Sequence, residues 1–394
     1  MIYADNAATT KMTPLAMETM MRVLRESYGN PSALYTIGRE AKKILDNARR
    51  DIAAVIHAAP GEIYFTSGGS EADNQAIRSA ALLGARKGKK HLVSTAFEHH
   101  AVLHTLEKLG REGFEVTLLD VHENGLVTAD QVAEAIREDT ALVTVMAANN
   151  EIGTLQPIRE IGRICREKGV VFHTDAVQAL GHIPVDVQMD NIDMLSASAH
   201  KFHGPKGTGF LFVREGLDLL NLIEGGAQEK GKRAGTENTA GIASMAAALT
   251  EAARKIEETA ADLSAKRDRL IRGLSEIPHS ALNGDAEKRL PGNVNFCFEG
   301  VEGEMMILLL DQKGIQASSG SACTSGSLDP SHVLLAIGRD HDTARGSLRL
   351  TLSEDITTEE IDYLIRSVKE TVEYLRSFSP TWKDLISGRT PFTL

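Results

Sequence analysis

The chain has 394 residues, 42% of them hydrophobic and 25% charged, with a net charge of −11. That length exceeds one ordinary core and predicts about two domains of an ordinary globular protein. An acidic balance with scattered basic residues excludes a nucleic-acid or anionic-membrane binder. No apolar run approaches the roughly 18 residues that cross a bilayer. Three cysteines without zinc-like spacing argue for a reducing compartment and against a disulfide framework. The opening residues, Met1 to Asn6, carry neither a basic nor an apolar leader region, so the expected location is cytoplasmic.

In chain order, residues 1–14 read as irregular, with the turn-formers Asp5, Asn6 and Pro14. Between Gly38 and Ile56, Ala41, Ile44, Leu45, Ala48, Ile52 and Val55 recur at helical spacing. Strands and helices then alternate. Strands are predicted over 62–66, 91–96, 115–119, 141–147, 170–173, 193–199 and 208–213. Helices are predicted from Glu71, from about Glu98, over 129–137 and over 158–168. This alternation predicts an α/β domain with a largely parallel sheet, whose ligands bind outside the strand carboxyl ends. The pattern changes after about residue 236. A long Ala-rich helix (240–274), strands at 292–298 and 347–352, and helices at 302–310 and 358–378 predict a smaller α+β domain. The tail from Thr381 gives no strong signal.

Several short stretches carry chemistry. Lys201 follows the apolar-to-small segment 193–199 and precedes a Gly204-Pro205-Lys206-Gly207 turn. A lysine at the end of a buried strand loses hydration and becomes a candidate Schiff-base former. Taken alone, a solvated loop lysine is the more ordinary reading. Ser67-Gly68-Gly69-Ser70 joins a strand to a helix, where free N–H groups suit an anion or simply permit packing. Asp175 ends a strand, with Gln178 three residues on; it is a partner for a protonated ring nitrogen or a turn cap. His99 opens a helix and could act as an acid or base or stack on a ring. His100 and His104 have metal-compatible spacing, but Ala101 stands where a zincin-like motif needs Glu, and no metal is expected. Cys323 lies in a Ser/Gly-rich polar loop, accessible as a nucleophile must be, whereas Cys165 falls on the apolar face of a helix. Gly226 to Lys232 imitates a P-loop, but Arg233 replaces the magnesium-binding hydroxyl, so it is no nucleotide site; Lys232, Arg233, Gly235 and Thr236 could still contact a phosphate.

These signals, with Asn149-Asn-Glu-Ile-Gly153, stand in one order along the chain. Ser198-Ala-His-Lys201 followed by Gly-Pro-Lys-Gly, and Ser318-Ser-Gly-Ser-Ala-Cys323, are specific strings. Together they resemble the NifS/IscS-type cysteine desulfurases, class V pyridoxal-phosphate (PLP) enzymes of fold-type I. The resemblance runs from Asp5-Asn-Ala-Ala-Thr-Thr10 to Thr357-Thr-Glu-Glu-Ile-Asp362, and the cysteine string matches the subgroup with a long cysteine loop. Ser70 stands where many members have Thr and Ala199 where many have Gly. The tail beyond Ser379 matches poorly.

The resemblance implies a large domain over 15–255 with a mainly parallel seven-stranded sheet. It implies a smaller α+β domain from 1–14 and 256–394 that carries the cysteine loop. It implies PLP as cofactor, with Lys201 as its covalent anchor. Asp175 would pair with the pyridine nitrogen, Gln178 with the ring hydroxyl, and His99 would stack on the ring and move protons. Gly69, Ser70, Ser198 and His200 would hold the phosphate, with Thr236 arriving from the second subunit of a homodimer. Asn150, also beside the cofactor, and Arg349 would bind the substrate carboxylate. Cys323 would take sulfur from L-cysteine as a persulfide, leave L-alanine, and pass the sulfur to an acceptor such as an iron–sulfur scaffold, for cluster assembly or thiolation. The rival readings are a selenocysteine lyase or aminotransferase of the same cofactor class, and a nucleotide-binding α/β enzyme or inert sulfur-relay scaffold without PLP.

Overall fold

A computed structural model describes residues 1–319 and 330–394. The chain opens with β1 (Ile2–Tyr3), α1 (Pro14–Glu26) and α2 (Thr36–Val55). It continues with β2 (Ile63–Thr66), α3 (Gly69–Ala85), β3 (His91–Thr95), α4 (His100–Arg111), β4 (Glu115–Leu119), α5 (Ala129–Ala135), β5 (Thr140–Thr144), α6 (Ile158–Lys168), β6 (Val171–Asp175), β7 (Met194–Ser198) and β8 (Gly209–Val213). A single turn, α7 (Gln228–Gly231), leads to α8 (Thr239–Ser275), β9 (Ser280–Leu282), β10 (Asn293–Phe298), α9 (Gly303–Gln312) and β11 (Ile315–Gln316). Then come α10 (His332–Ala336), α11 (His341–Arg345), β12 (Ser347–Thr351), α12 (Thr358–Phe378) and α13 (Pro380–Ile386).

Seven strands form one sheet in the order β2-β8-β7-β6-β5-β3-β4. All its pairings are parallel except those of β8, which runs antiparallel to both β2 and β7. Every residue of β3, β5, β7 and β8 is buried, as expected for a sheet covered by helices on both faces. Phe172, Phe210 and Phe212 are fully enclosed; burying such a side chain contributes ~1.5–3 kcal/mol. Because β8 opposes both neighbours, β2 runs in the same direction as β6 and β7. The carboxyl ends of β2, β6 and β7 therefore share one edge. Gly209 enters β8 there, opposite both Thr66 and Ser198. A Cβ on Gly209 would lie 2.4 Å from the Ala197 carbonyl oxygen and 2.7 Å from Gly68 Cα, so the edge closes only around glycine.

A second sheet, β12-β10-β9, is antiparallel. It packs with α9, α12 and the distal part of α8 around its own core, which includes Phe296, Leu348, Leu364 and Val368. Helix α8 is the spine common to both halves. Its first turns, to Leu249, are buried in the large half; Leu263, Leu270 and Leu274 are buried in the small one; nothing between Leu249 and Leu263 is buried.

The elements expected from periodicity are present, and the differences have local causes. Residues 1–14 are not all irregular: β1 pairs in parallel with β11, and Asp5 bridges Thr351. Helix α1 begins with Thr13 accepting the Ala16 N–H and with Pro14 in its first turn, a start signal that is independent of apolar periodicity. Helix α4 starts at His100 and not Glu98, because the His99 side chain caps it. The tail forms α13, capped by Ser379, and the Arg376 guanidinium lies 4.0 Å from the centre of the Trp382 ring.

Candidate active site

The site forms where the carboxyl ends of β2, β6 and β7 meet the small sheet. On the large side, the turn after β2 reverses at Gly68, whose φ of +155° suits glycine alone. Among the described residues no side chain caps α3 at Gly68, as none caps α2, α6 or α9, whereas Thr13, Thr128, Asn238 and Thr357 cap α1, α5, α8 and α12. An uncapped helix start leaves N–H groups and the positive dipole end for an anion. Gly69 is buried against the ends of β6 and β7; a Cβ there would meet Val177 Cγ2 at 2.6 Å and Ser198 Cβ at 3.6 Å. Ser198 is buried at the end of β7, and Ser70 is exposed at the rim.

Asp175, buried at the end of β6, accepts the Val177 N–H at 2.9 Å. Burial pushes its carboxyl above the ordinary range, while that hydrogen bond and the Lys201 charge pull it back. A ring nitrogen of His99 and a carboxylate oxygen each of Asp73 and Asp175 lie within 4.8 Å of one another. Asp73, on the inner face of α3, is held well above the usual carboxylate range by burial and by the Asp175 charge. Next to them Glu98 is buried, and desolvation raises it to about 8. The hollow is thus lined by acidic groups whose charged form burial disfavours and the Lys201 charge favours at Asp175.

His99 Nδ1 accepts the Ala101 N–H at 3.1 Å, which leaves the ring proton on Nε2. Burial, then the charge of Lys201, lowers its pKa to about 4, so the ring is neutral at physiological pH. Lys201 follows β7 in a 3-10 turn, Ala199–Lys201. Its ammonium donates to the carbonyls of Ala7 at 2.5 Å and Ala8 at 2.9 Å. Gln178 donates to the same Ala7 carbonyl at 3.0 Å. His200 Nδ1 lies 3.1 Å from Thr9 Oγ1, and burial lowers its pKa to about 4.

The small half contributes Arg349 from β12. Only 2% of it is exposed. Nη2 donates to Asp5 Oδ1 at 2.9 Å and Nη1 to the Asn150 carbonyl at 3.1 Å, while Nε, buried, has no partner among the described residues. Thr236 is exposed on the segment between α7 and α8. Arg233 is paired with Glu71 and Lys232 donates to the Leu219 carbonyl, so neither is poised for a phosphate. Cys323 lies outside the described residues.

The fold thus brings Gly69, Ser198, Asp175, Lys201, Gln178 and His99 to one sheet edge, with Arg349 and Asn150 joined beside it. Sequence reasoning missed Asp5, Ala7 and Ala8 because the opening segment read as irregular. It also missed Asp73 and Glu98. Asp73 had a signal: it falls between Gly69, Ala72, Ala76 and Ala80 on the apolar face of α3, where an acid is costly unless a site uses it.

A lysine, a strand-end carboxyl in a hollow of acidic groups and an uncapped helix start, all on one edge of such a sheet, define a pyridoxal-phosphate enzyme. The groups fit the cofactor: the hollow complements a pyridinium, the α3 start a phosphate, and the lysine an aldehyde. The sequence profile of the family described as "Aminotransferase class-V" matches residues 2–364. The chain is 50% identical over 391 residues to the cysteine desulfurase IscS of Clostridium botulinum (strain Hall), covering 98% of each. It is 50% identical over 379 residues to that of Methanosarcina thermophila, covering 96% of this chain and 94% of the relative. A solved NifS-like protein superposes with a TM-score of 0.89 at 36% identity, covering 95% of this chain and 99% of that one. The chain belongs to the class-V aminotransferase family, among its cysteine desulfurases.

Proposed function

We propose that this PLP-dependent desulfurase takes sulfur from L-cysteine onto Cys323 and leaves L-alanine, through the residue roles that follow. One observation carries the reading: the Lys201 amine, the Asp175 carboxyl and the uncapped α3 start converge on one edge, beside a buried arginine with an unpaired Nε. Bound there, pyridoxal phosphate supplies an electron sink for charge developing at the substrate Cα. Lys201 anchors it. Gly69, Ser70, Ser198 and His200 hold its phosphate, Asp175 its ring nitrogen and Gln178 its ring hydroxyl, with Asn150 alongside. Arg349 and Asn150 orient the substrate carboxylate, which fixes the Cα–H bond relative to the Lys201 amine that removes its proton. His99 works through Nε2, because Nδ1 is committed to the α4 start. Carrying its proton on Nε2, it stacks on the ring and donates to a departing fragment. Cys323 attacks the substrate sulfur as a thiolate.

The two cores, with α8 running through both, support a large domain over 15–255 and a small one from 1–14 and 256–394. Exposed apolar side chains between Leu15 and Tyr35, including Leu34 at 88% and Tyr28 at 77%, support a homodimer, in which Thr236 would reach the partner's phosphate site. The buried free thiols Cys165 and Cys297 support a reducing, cytoplasmic location. No described helix is long and apolar enough to cross a membrane. The sulfur acceptor is a protein such as an iron–sulfur scaffold, for cluster assembly or thiolation. Incubation with L-cysteine followed by peptide mapping tests the reading. Alanine and a persulfide on Cys323 are expected, and Cys323→Ala should lose alanine release while keeping the yellow colour. Full activity in that variant would sink the role of Cys323.

A further inference from the structure

We infer that Asp5 is a positioning residue for substrate recognition: it aims the Arg349 guanidinium at the substrate carboxylate. The inference rests on the reading of Arg349 as the carboxylate clamp. A guanidinium with 3% of its side chain exposed is stable only when paired. Arg349 is held at its two Nη atoms by groups from different parts of the fold, Asp5 Oδ1 on one and the Asn150 carbonyl on the other. Its Nε is the buried donor left over. Arginine binds carboxylates along a planar edge through two parallel N–H groups, so the direction of the remaining edge decides whether a carboxylate can dock.

Asp5 is well placed to set that direction, because its own backbone is pinned to the strand that carries Arg349. Asp5 bridges Thr351, two residues along β12. The Thr351 N–H donates to the Ala4 carbonyl at 2.7 Å, Asn6 Nδ2 to the Thr351 carbonyl at 2.8 Å, and the Ala7 N–H to Thr351 Oγ1 at 2.8 Å. The same short segment goes on to meet Lys201 and Gln178 at the Ala7 carbonyl. Asp5 therefore ties the carboxylate clamp to the strap that touches the catalytic lysine.

Two effects of removing the Asp5 charge oppose each other. By Coulomb's law alone, loss of a nearby anion would strengthen binding of a substrate carboxylate. Loss of the pairing frees a buried guanidinium to turn away, which weakens it. Positioning predicts that the second wins. The test titrates the PLP-loaded enzyme with L-alanine and with ethylamine, which is alanine without its carboxylate, and follows the visible absorption. Asp5→Asn, which keeps an acceptor oxygen but removes the charge that holds the buried guanidinium, should weaken L-alanine ~10–100-fold and leave ethylamine unchanged. The KM for L-cysteine should rise with kcat held, and the cofactor should stay bound. Asp5→Glu, which keeps the charge but moves the carboxylate, should show a smaller loss and serves if Asp5→Asn does not fold. Equal or tighter alanine binding in Asp5→Asn overturns the inference, as does an equal loss for both amines, which would mark a purely structural role. Arg349→Ala separates the two readings: if it binds L-alanine normally, the clamp itself is wrong.

Discussion

The two sheets bring different kinds of group to the cleft. The large sheet ends in groups whose protonation is bent by burial: Asp175, Asp73 and Glu98 raised, His99 and His200 lowered. The small sheet brings one permanently charged group, Arg349, fixed by Asp5 and by the Asn150 carbonyl. Proton transfer needs groups whose charge can change, and recognition of a carboxylate needs a charge that never titrates. The division places the groups whose protonation burial shifts in the large half and the permanently charged guanidinium in the small one.

That contrast can be broken by kinetics. The largest effect is expected from His99→Gln, which should lower kcat by ~10²–10⁴-fold, the usual worth of one proton-transfer group, with KM little changed. A rise in KM alone would move His99 to the recognition side. Gly69→Ala should come next. Its Cβ would meet Val177 Cγ2 at 2.6 Å, an overpacking that costs ~1–3 kcal/mol and displaces the α3 start. Weaker PLP affinity and a lower Tm are expected, and unchanged PLP affinity would deny that this turn holds the phosphate. The smallest effect concerns pH. Glu98 rises from the ordinary carboxylate range to about 8 on folding, so between those values the folded state holds a proton that the unfolded state has released. The stability tied to it is complete below the unfolded value and fades as pH climbs to about 8. Glu98→Gln, which mimics the protonated acid, should flatten the fall in Tm of the cofactor-free protein between about pH 5 and pH 8. An unchanged slope would place that titration elsewhere.

Much of the large half was legible in the sequence, because its strands are unbroken apolar runs and its helices are strongly periodic. Asp175 and Lys201 could be found because each ends such a run. Residues whose roles depend on long-range pairing were not. Asp5 meets Arg349 across almost the whole chain, and β1 is two residues long, too short for any period. The capping role of His99 was hidden for a related reason: Glu98 continued the helical pattern, while the backbone was still extended at His99. Helix α12 shows the opposite case. Its Thr357–Glu360 capping box is local, and its start fell where expected.

The central claim is that Lys201 is the cofactor's anchor at the meeting of the two halves. Borohydride reduction of the PLP-loaded enzyme, followed by peptide mapping, tests it most directly. The account predicts the reduced pyridoxyl group on the peptide containing Lys201; a label on another lysine, or none, would contradict it.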